Sequence, residues 1–165
     1  MSKELQIEIK ELKIADNYDL IAGFMQQLHK HEHMLFDKTA QWDDIEAKYM
    51  RHIIEMQAEF DGLCLVAYSG VTPAGFIFGY TVDQDDSRIE VYEGKELYVS
   101  DGFVAENFRR QGIYHRLNQR LEQYYIDKGI LRITRYTHIQ NTRMRQLLEE
   151  EGYFVTRLLY EKWVE

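Results

Sequence analysis

Residues 104–117 read VAENFRRQGIYHRL, and this stretch decides the fold. It joins a predicted strand that ends near Val104 to a predicted amphipathic helix. The first N–H groups of a helix lack backbone acceptors, and the helix macrodipole adds partial positive charge at that end. Arg109 and Arg110 stand just before the turn, and Gly112 allows a ligand to approach the backbone closely. These features predict an anion site, although a tight turn with two solvated arginines explains them equally well.

Hydrophobic periodicity places this junction within a longer series of elements. The predicted elements are a strand over 5–14, a helix from its cap Asp16 to Lys30, a helix over 42–60, strands over 63–69, 75–83 and 95–104, a helix over 110–128, a strand over 130–138, a short helix over 141–151 and a strand over 153–164. The strand, helix and strand over 95–138 predict a parallel crossover. The sequence therefore predicts a mixed α/β fold and a single domain over 1–165.

Composition excludes several classes of protein. With 45% apolar and 29% charged residues the chain is typical of globular proteins. It has no apolar run long enough for a signal peptide or a membrane span, so we expect a cytoplasmic protein without membrane contact. The net charge of −8 disfavours nucleic-acid binding and suits a cationic substrate. Cys64, the only cysteine, lies in a predicted buried strand and is not expected to act as a nucleophile.

The stretch over 104–117 resembles the signature V-x-P-x-x-R-x-x-G-x-G/A of the GNAT (Gcn5-related N-acetyltransferase) family. Val104, Arg109 and Gly112 occupy matching positions, whereas Glu106 replaces the frequent proline and Tyr114 replaces the final small residue. Farther along, residues 141–153 resemble the second family pattern, with an asparagine at the start of a helix and a Gly-aromatic pair after it. The matching residues are Asn141, Gly152 and Tyr153.

The resemblance implies a GNAT-type acyl-CoA N-acyltransferase fold, with a central, mostly antiparallel sheet and helices on both faces. It also implies that acetyl-CoA is the cosubstrate and that backbone groups of Phe103 and Val104 pair with its pantetheine arm. Asn141 would contact the same arm, although a plain helix cap is the alternative for this residue. The pyrophosphate would be held by residues of the loop: Arg109, Arg110, Gln111, Gly112, Ile113 and Tyr114.

In the family the acceptor amine attacks the thioester directly, and a tyrosine often protonates the departing thiolate. That position is Leu148 here, and leucine cannot donate a proton, so either the hydroxyl of Tyr114 or Tyr153 replaces it, or water does, or catalysis is weak. The weak candidates for a catalytic role are Tyr98, Ser100, Asp101 and Tyr153, with Glu96 as a further carboxylate. Strand periodicity predicts that Tyr98 and Ser100 share one face of their strand and that Asp101 lies on the other.

Three histidines follow the first predicted helix at alternate positions, His29, His31 and His33, a spacing that suits an extended segment better than a helix. In the family this region builds the acceptor pocket, so His29 and His33 are candidates for binding the acceptor or serving as a base. Without Cys or Asp partners at ligand spacing, no metal site is expected.

Three functions remain open on the sequence. The first is an N-acetyltransferase acting on a small cationic amine, which the acidic loop over 83–96 would help to attract. The second is a non-catalytic acyl-CoA-binding domain with a sensing or protein-interaction role, favoured by Leu148. The third is a fold that has lost the cofactor, with Tyr114 filling the pyrophosphate site. A homodimer is also possible, and Trp163 is one candidate for its interface.

Overall fold

A computed structural model of the chain describes residues 6–84, 91 and 94–164. Within these ranges the elements in chain order are β1 (Ile7–Glu11), α1 (Tyr18–Leu35), α2 (Trp42–Glu59), β2 (Leu63–Ser69), β3 (Thr72–Val82), β4 (Glu96–Val104), α3 (Ile113–Ile126), β5 (Ile133–Thr134) and α4 (Thr142–Glu150). Most of the predicted acidic loop lies outside the described residues. No helix in these ranges has the length and apolarity needed to cross a bilayer.

The strands form one sheet in the order β1-β2-β3-β4-β5. The first three pairs are antiparallel, and β4 pairs with β5 in parallel through the connecting helix α3. The predicted crossover and the mostly antiparallel sheet are therefore confirmed. The parallel pairing is short, because only Leu97 and Tyr98 of β4 lie opposite β5.

Apolar side chains cover both faces of the sheet. One cluster joins α1 and α2 to the sheet through fully buried residues such as Ile21, Met50 and Phe76. The other joins α3 to the opposite face through Leu117 and Tyr125. Burial of each such side chain stabilises the fold by about 1.5–3 kcal/mol. Helices on both faces, as the sequence predicted, leave the ends and edge of the sheet for a site.

A β-bulge in β4 changes which side chains face α1 and α2. Gly79 of β3 pairs with Val99, whereas the preceding Phe78 pairs with Asp101, so Ser100 is an extra residue in β4. Because a bulge reverses the alternation of side chains beyond it, Tyr98 and Asp101 lie on the same face. The prediction that they face opposite ways was wrong, since one inserted residue is invisible to periodicity.

Helix α1 is longer than predicted and includes the three histidines. It begins after Asn17 rather than Asp16 and continues to Leu35, so the predicted extended segment was wrong. His29 and His33 are one turn apart on the same helix face, and His31 is exposed. The backbone becomes extended only at Phe36, where φ is −147°.

The predicted strands after α3 are shorter or absent. The strand expected over 130–138 contains only Ile133 and Thr134. Residues 153–164 join neither a strand nor a helix within the described chain, so the predicted last strand was wrong. Apolar alternation indicates a chain suited to a half-buried strand, but a strand forms only where a neighbouring strand satisfies its backbone.

Candidate active site

The loop between β4 and α3 has the geometry of an anion site. Arg110 and Gly112 both adopt left-handed conformations, with φ of +62° and +71°. The first hydrogen bond within α3 runs from the Arg116 amide to the Gly112 carbonyl at 3.1 Å. The amides of 113–115 therefore come before the helical ladder begins. A Cβ built on Gly112 meets no atom within 4 Å, so the space beside the loop is open.

Arg109 and Arg110 have different settings in this loop. The Nε of Arg109 donates to the Val104 carbonyl at 3.0 Å, and its guanidinium lies 5.4 Å from the centre of the Phe103 ring. Arg109 thus ties the loop to the end of β4. Arg110 is exposed, and a left-handed conformation costs a non-glycine residue about 1–2 kcal/mol. Gln111 is also exposed, with a weak 3.4 Å bond to the Asn107 carbonyl.

The outer edge of β4 is open next to this loop. Its inner edge pairs with β3 as far as Val104, but β5 covers only Leu97 and Tyr98 within the described chain. The backbone of 99–104 therefore has one side on which an extended ligand can add as a strand. Phe103 and Val104, predicted to pair with pantetheine, both lie in this part of β4.

The side chain of Tyr114 points under the sheet. Its ring packs beneath Gly102, where an added Cβ would lie only 2.9 Å from Cε2 of the ring. Its hydroxyl accepts a 3.0 Å hydrogen bond from Nη1 of Arg135. Burial raises the pKa of Tyr114, and the Arg135 charge opposes that rise. Glycine at position 102 is thus the residue that accommodates the unusual tyrosine of the motif, which the sequence analysis did not identify.

Arg135 connects Tyr114 to the chain after α4. Its Nη2 donates to Asn118 at 2.7 Å, and its guanidinium lies 4.8 Å from the centre of the Tyr153 ring. The Tyr153 hydroxyl donates to Glu122, and burial is the main cause of its raised pKa. This network of buried and half-buried polar groups joins α3 to the chain on either side of α4. It was missed because its members are far apart in the sequence.

On the opposite face of the sheet, Asp101 is a buried carboxyl. It is 8% exposed, and the Tyr49 hydroxyl on α2 lies 2.8 Å from both of its carboxyl oxygens. The Ser100 hydroxyl donates to it at 2.6 Å. Burial raises the pKa of Asp101, while the two hydroxyls lower it by stabilising the ionised form. A carboxyl whose pKa is raised above its ordinary value is better suited to accepting a proton.

Aromatic rings and a second carboxyl surround Asp101. Tyr98 is 5.5 Å from Tyr80 and 5.8 Å from the exposed Tyr136, between ring centres. Burial, together with the Asp101 charge, raises the pKa of Tyr98 to about 12, so it is a poor base. The half-buried Glu32 also has a raised pKa, caused by burial and then by the charge of Asp101. The surroundings are therefore aromatic and acidic, and they also include His52 and His29, which interact electrostatically with Asp101.

His29 and His33 brace the loop after α1, and His29 also interacts electrostatically with Asp101. Nε2 of His29 is 2.7 Å from the Ala40 carbonyl, and its ring is 5.8 Å from that of Trp42. Nδ1 of His33 is 2.9 Å from the Thr39 hydroxyl oxygen. Nε2 of His33 lies 3.3 Å from Nε2 of Gln41, so both ring nitrogens of His33 and one of His29 are engaged in structural contacts.

The helix α4 supplies two further residues of the motif. Asn141 caps the helix, because its Oδ1 accepts a 3.2 Å hydrogen bond from the Met144 amide, which confirms the capping interpretation. Leu148 is 8% exposed and cannot donate a proton.

Glu96 is 3.4 Å from Arg132, in an ion pair at the start of β4. Burial raises the pKa of Cys64 to about 12, so the thiol stays protonated.

Comparison with known proteins places this geometry in a family. The profile of the acetyltransferase (GNAT) family matches residues 25–153. A search of curated proteins finds no match. The aminoglycoside N-acetyltransferase AAC(6')-Iy, solved in complex with CoA, aligns with a TM-score of 0.72 and 16% identity over 99% of this chain and 98% of its own.

Two other solved structures have the same fold at similar distance. The GCN5-related N-acetyltransferase from Ralstonia eutropha JMP134 aligns with a TM-score of 0.75 and 16% identity, covering 96% of this chain and 99% of its own. A putative acetyl transferase from Pyrococcus furiosus gives 0.74 and 17%, covering 96% and 100%. The loop between β4 and α3, the edge of β4 beyond Tyr98 and the family profile all fall on the same segment. This chain belongs to the GNAT family of acetyltransferases, which use an acyl-CoA.

Proposed function

We propose that this chain transfers the acetyl group of acetyl-CoA to a primary amine of a small cationic acceptor. The observation that carries the proposal is the arrangement along β4. The anion loop follows Val104, the outer edge of 99–104 is open, and Asp101 projects from the same stretch towards α1 and α2. One strand thus offers a place for a pyrophosphate, an extended arm and a proton acceptor.

The residues of the loop fit an acyl-CoA. Two left-handed residues expose the amides before α3, and the space beside Gly112 is open. These amides and the exposed Arg110 would hold the pyrophosphate. The outer side of 103–104, where the Val104 carbonyl accepts from Arg109, would pair with the pantetheine amides through its other backbone groups. The Tyr114 ring packs beneath Gly102, away from the loop. This placement supports a binding site over the interpretation in which Tyr114 fills it.

Asp101 is our candidate for the general base. In the transfer, the amine nitrogen forms a bond to the acetyl carbon, the carbon–sulfur bond breaks, and the nitrogen loses a proton. Asp101, held by Tyr49 and Ser100, would accept that proton directly or through one water. The hydroxyls also keep the carboxyl oriented, so they are positioning groups and do not themselves react.

The departing thiolate is protonated by water in this proposal. Leu148 has no proton to give, and the Tyr153 hydroxyl is engaged with Glu122. A thiol has an ordinary pKa of about 8.5, so it leaves as a thiolate near neutral pH at modest cost. The alternative donor is Tyr114, whose hydroxyl accepts from Arg135 and keeps its own proton.

The surroundings of Asp101 support a cationic acceptor. Two carboxyls, Asp101 and Glu32, interact electrostatically, and the neighbouring rings offer faces for an ammonium group. The net charge of −8 acts in the same direction at longer range. AAC(6')-Iy is named as an aminoglycoside acetyltransferase, so aminoglycosides belong in the first acceptor panel beside simple diamines.

Calorimetric titration with acetyl-CoA tests the site. Arg109 has a structural bond to Val104, so the charge is removed at Arg110 alone. We expect Arg110→Ala to weaken binding by about tenfold, equivalent to about 1.4 kcal/mol. Arg143→Ala removes another exposed arginine, on α4, and is the matched control. Unchanged affinity in Arg110→Ala would contradict the placement of the pyrophosphate.

Turnover separates the enzyme from its rival, a non-catalytic acyl-CoA-binding domain. Release of free thiol is measured with the acceptor panel, and Asp101→Asn should reduce the rate by about 10²–10⁴-fold. Tight binding without turnover on any amine would favour the rival, which Leu148 supports. If the wild type does not bind, both functions fail, and a gain of binding in Tyr114→Gly would then favour loss of the cofactor.

A further inference from the structure

The hydroxyl of Tyr114 has a donor that the described chain does not use. Its oxygen accepts the 3.0 Å hydrogen bond from Nη1 of Arg135. A phenol also carries one proton of its own to donate, and no acceptor among the described residues takes it. This donor is therefore available to a ligand, and the question is which ligand atom lies within its reach.

The hydroxyl lies where β4 and β5 part. A Cβ added to Gly102 of β4 would stand 3.0 Å from the hydroxyl oxygen, and Arg135 directly follows β5. The pairing of these two strands stops one residue before Arg135 within the described chain. The hydrogen bond between Tyr114 and Arg135 therefore spans the gap beside the outer edge of 99–104, where the thioester end of the proposed acyl-CoA would lie.

Asp101 and Tyr114 approach this edge from opposite faces of the sheet. Asp101 points to α2, where it meets Tyr49, whereas the Tyr114 ring packs on the α3 side beneath Gly102. Burial is the main cause of the raised pKa of Tyr114, and the charge of Asp101 adds to it, so the two groups are within electrostatic range. A thioester bound beside 101–102 would have a proton acceptor on one side and a hydroxyl donor on the other.

Arg135 makes this hydroxyl a stronger donor. Its Nε is buried without a hydrogen-bond partner among the described residues, and the carboxyl of its network, Glu122, is reached through Asn118 and Tyr153. The positive charge of Arg135 therefore acts on Tyr114 without a carboxylate in direct contact, and it lowers the pKa that burial raises. A more acidic phenol forms a stronger hydrogen bond to an oxygen that gains negative charge.

We propose that the Tyr114 hydroxyl, positioned by Arg135, donates a hydrogen bond to the thioester oxygen of acetyl-CoA during the transfer. As the amine nitrogen bonds to the acetyl carbon, an electron pair of the C=O bond moves onto the oxygen, and it returns when the carbon–sulfur bond breaks. The hydroxyl keeps its proton throughout, so the thiolate still takes its proton from water. This assignment rests on the acetyl-transfer function proposed above and gives the unusual tyrosine of the motif a catalytic role.

The carbonyl stretch of bound acetyl-CoA tests the contact without turnover. Acetyl-CoA labelled with carbon-13 at the thioester carbonyl is bound in the absence of an acceptor, and difference infrared spectra are recorded. A hydrogen bond to the oxygen weakens the double bond, so the wild type should shift the band below that of free acetyl-CoA. Tyr114→Phe keeps the ring beneath Gly102 and should lose most of this shift, with unchanged circular dichroism. Tyr124→Phe, on the same helix, is the control, because that hydroxyl accepts from Lys128 at 2.7 Å instead.

Kinetics with the acceptor panel give the second measurement. Tyr114→Phe should lower kcat by about 10²–10³-fold, while its affinity for acetyl-CoA by calorimetry falls by less than about tenfold. Arg135→Gln removes the charge but keeps an amide donor, so it should cause a smaller loss of both kcat and the band shift. A carbonyl band that is the same in the wild type and Tyr114→Phe, or an unchanged kcat in that variant, would overturn the assignment and leave the proposed function intact. A wild type that does not bind acetyl-CoA would overturn both.

Discussion

Removal of the Tyr49 hydroxyl should move the pH dependence of acetyl transfer to higher pH. The hydroxyl lies 2.8 Å from both carboxyl oxygens of Asp101, where it stabilises the ionised form. A hydrogen bond to a charged group contributes about 1.5–3 kcal/mol, and one pKa unit corresponds to 1.36 kcal/mol. Tyr49→Phe should therefore raise the pKa of Asp101 further above its ordinary value.

The assay is kcat/KM as a function of pH, followed by release of free thiol. A general base must be ionised, so the variant should be about 10–100-fold slower at acidic pH and approach the wild type at high pH. The amine of the acceptor titrates too, but this effect is common to both enzymes and cancels in their ratio. Tyr18→Phe is the control, because that hydroxyl lies 3.4 Å from Glu46 instead.

The same substitution has a consequence for stability, with a sign set by linkage. Burial holds the pKa of Asp101 above its unfolded value, so the unfolded chain loses its proton first as pH rises. The contribution to folding is complete below the unfolded pKa and is lost as pH rises through the folded pKa. Tyr49→Phe widens this window, so the total loss of unfolding free energy with rising pH, measured by urea unfolding, should be larger. A kcat/KM ratio that is constant with pH would refute the role of Asp101 as base.

Two other substitutions test the local geometry by urea unfolding. Gly112→Ala should lower the unfolding free energy by about 1–2 kcal/mol, because the φ of +71° at this position is left-handed. Gly23→Ala within α1, where a Cβ also meets no atom within 4 Å, is the control and should be neutral or stabilising. Equal effects of the two substitutions on the unfolding free energy would contradict the strain argument. Tyr125→Phe removes a buried hydroxyl that donates to the carbonyls of Asp61 and Gly79 at 2.7 and 3.0 Å. It should cost about 1–3 kcal/mol, and a loss below a few tenths would show that these carbonyls find other donors.

Local patterns determined most of the fold. The helices and the first four strands follow from periodicity within short windows, because each element buries one face against the sheet. The anion loop is also local: a strand end, two arginines, a glycine and a helix start lie within fourteen residues. Asn141 as a helix cap follows from the same kind of short-range rule. These features could be predicted because neighbours in sequence decide them.

Partners distant in sequence decided the candidate site. The bulge at Ser100 depends on the register with β3 and sets the side of the sheet to which Asp101 points. The orientation of Tyr114 depends on the empty space at Gly102 and on Arg135, twenty-one residues further along the chain. The extended segment predicted around the α1 histidines was wrong because their spacing does not reveal that the helix continues to Leu35. Such pairings arise only when the sheet assembles.

The sequence by itself determined the family, the order of the elements from β1 to α4, and the turn with Arg109, Arg110 and Gly112 between β4 and α3. The tertiary structure alone decided that Asp101, Tyr49 and Tyr98 meet on one face, and that no strand among the described residues pairs with the outer edge of β4 beyond Tyr98. It also decided that the strand-like 153–164 segment does not join its own sheet. The physical reason is common to all three: side-chain alternation specifies a strand's faces, whereas its neighbours are chosen by backbone pairing across the whole chain.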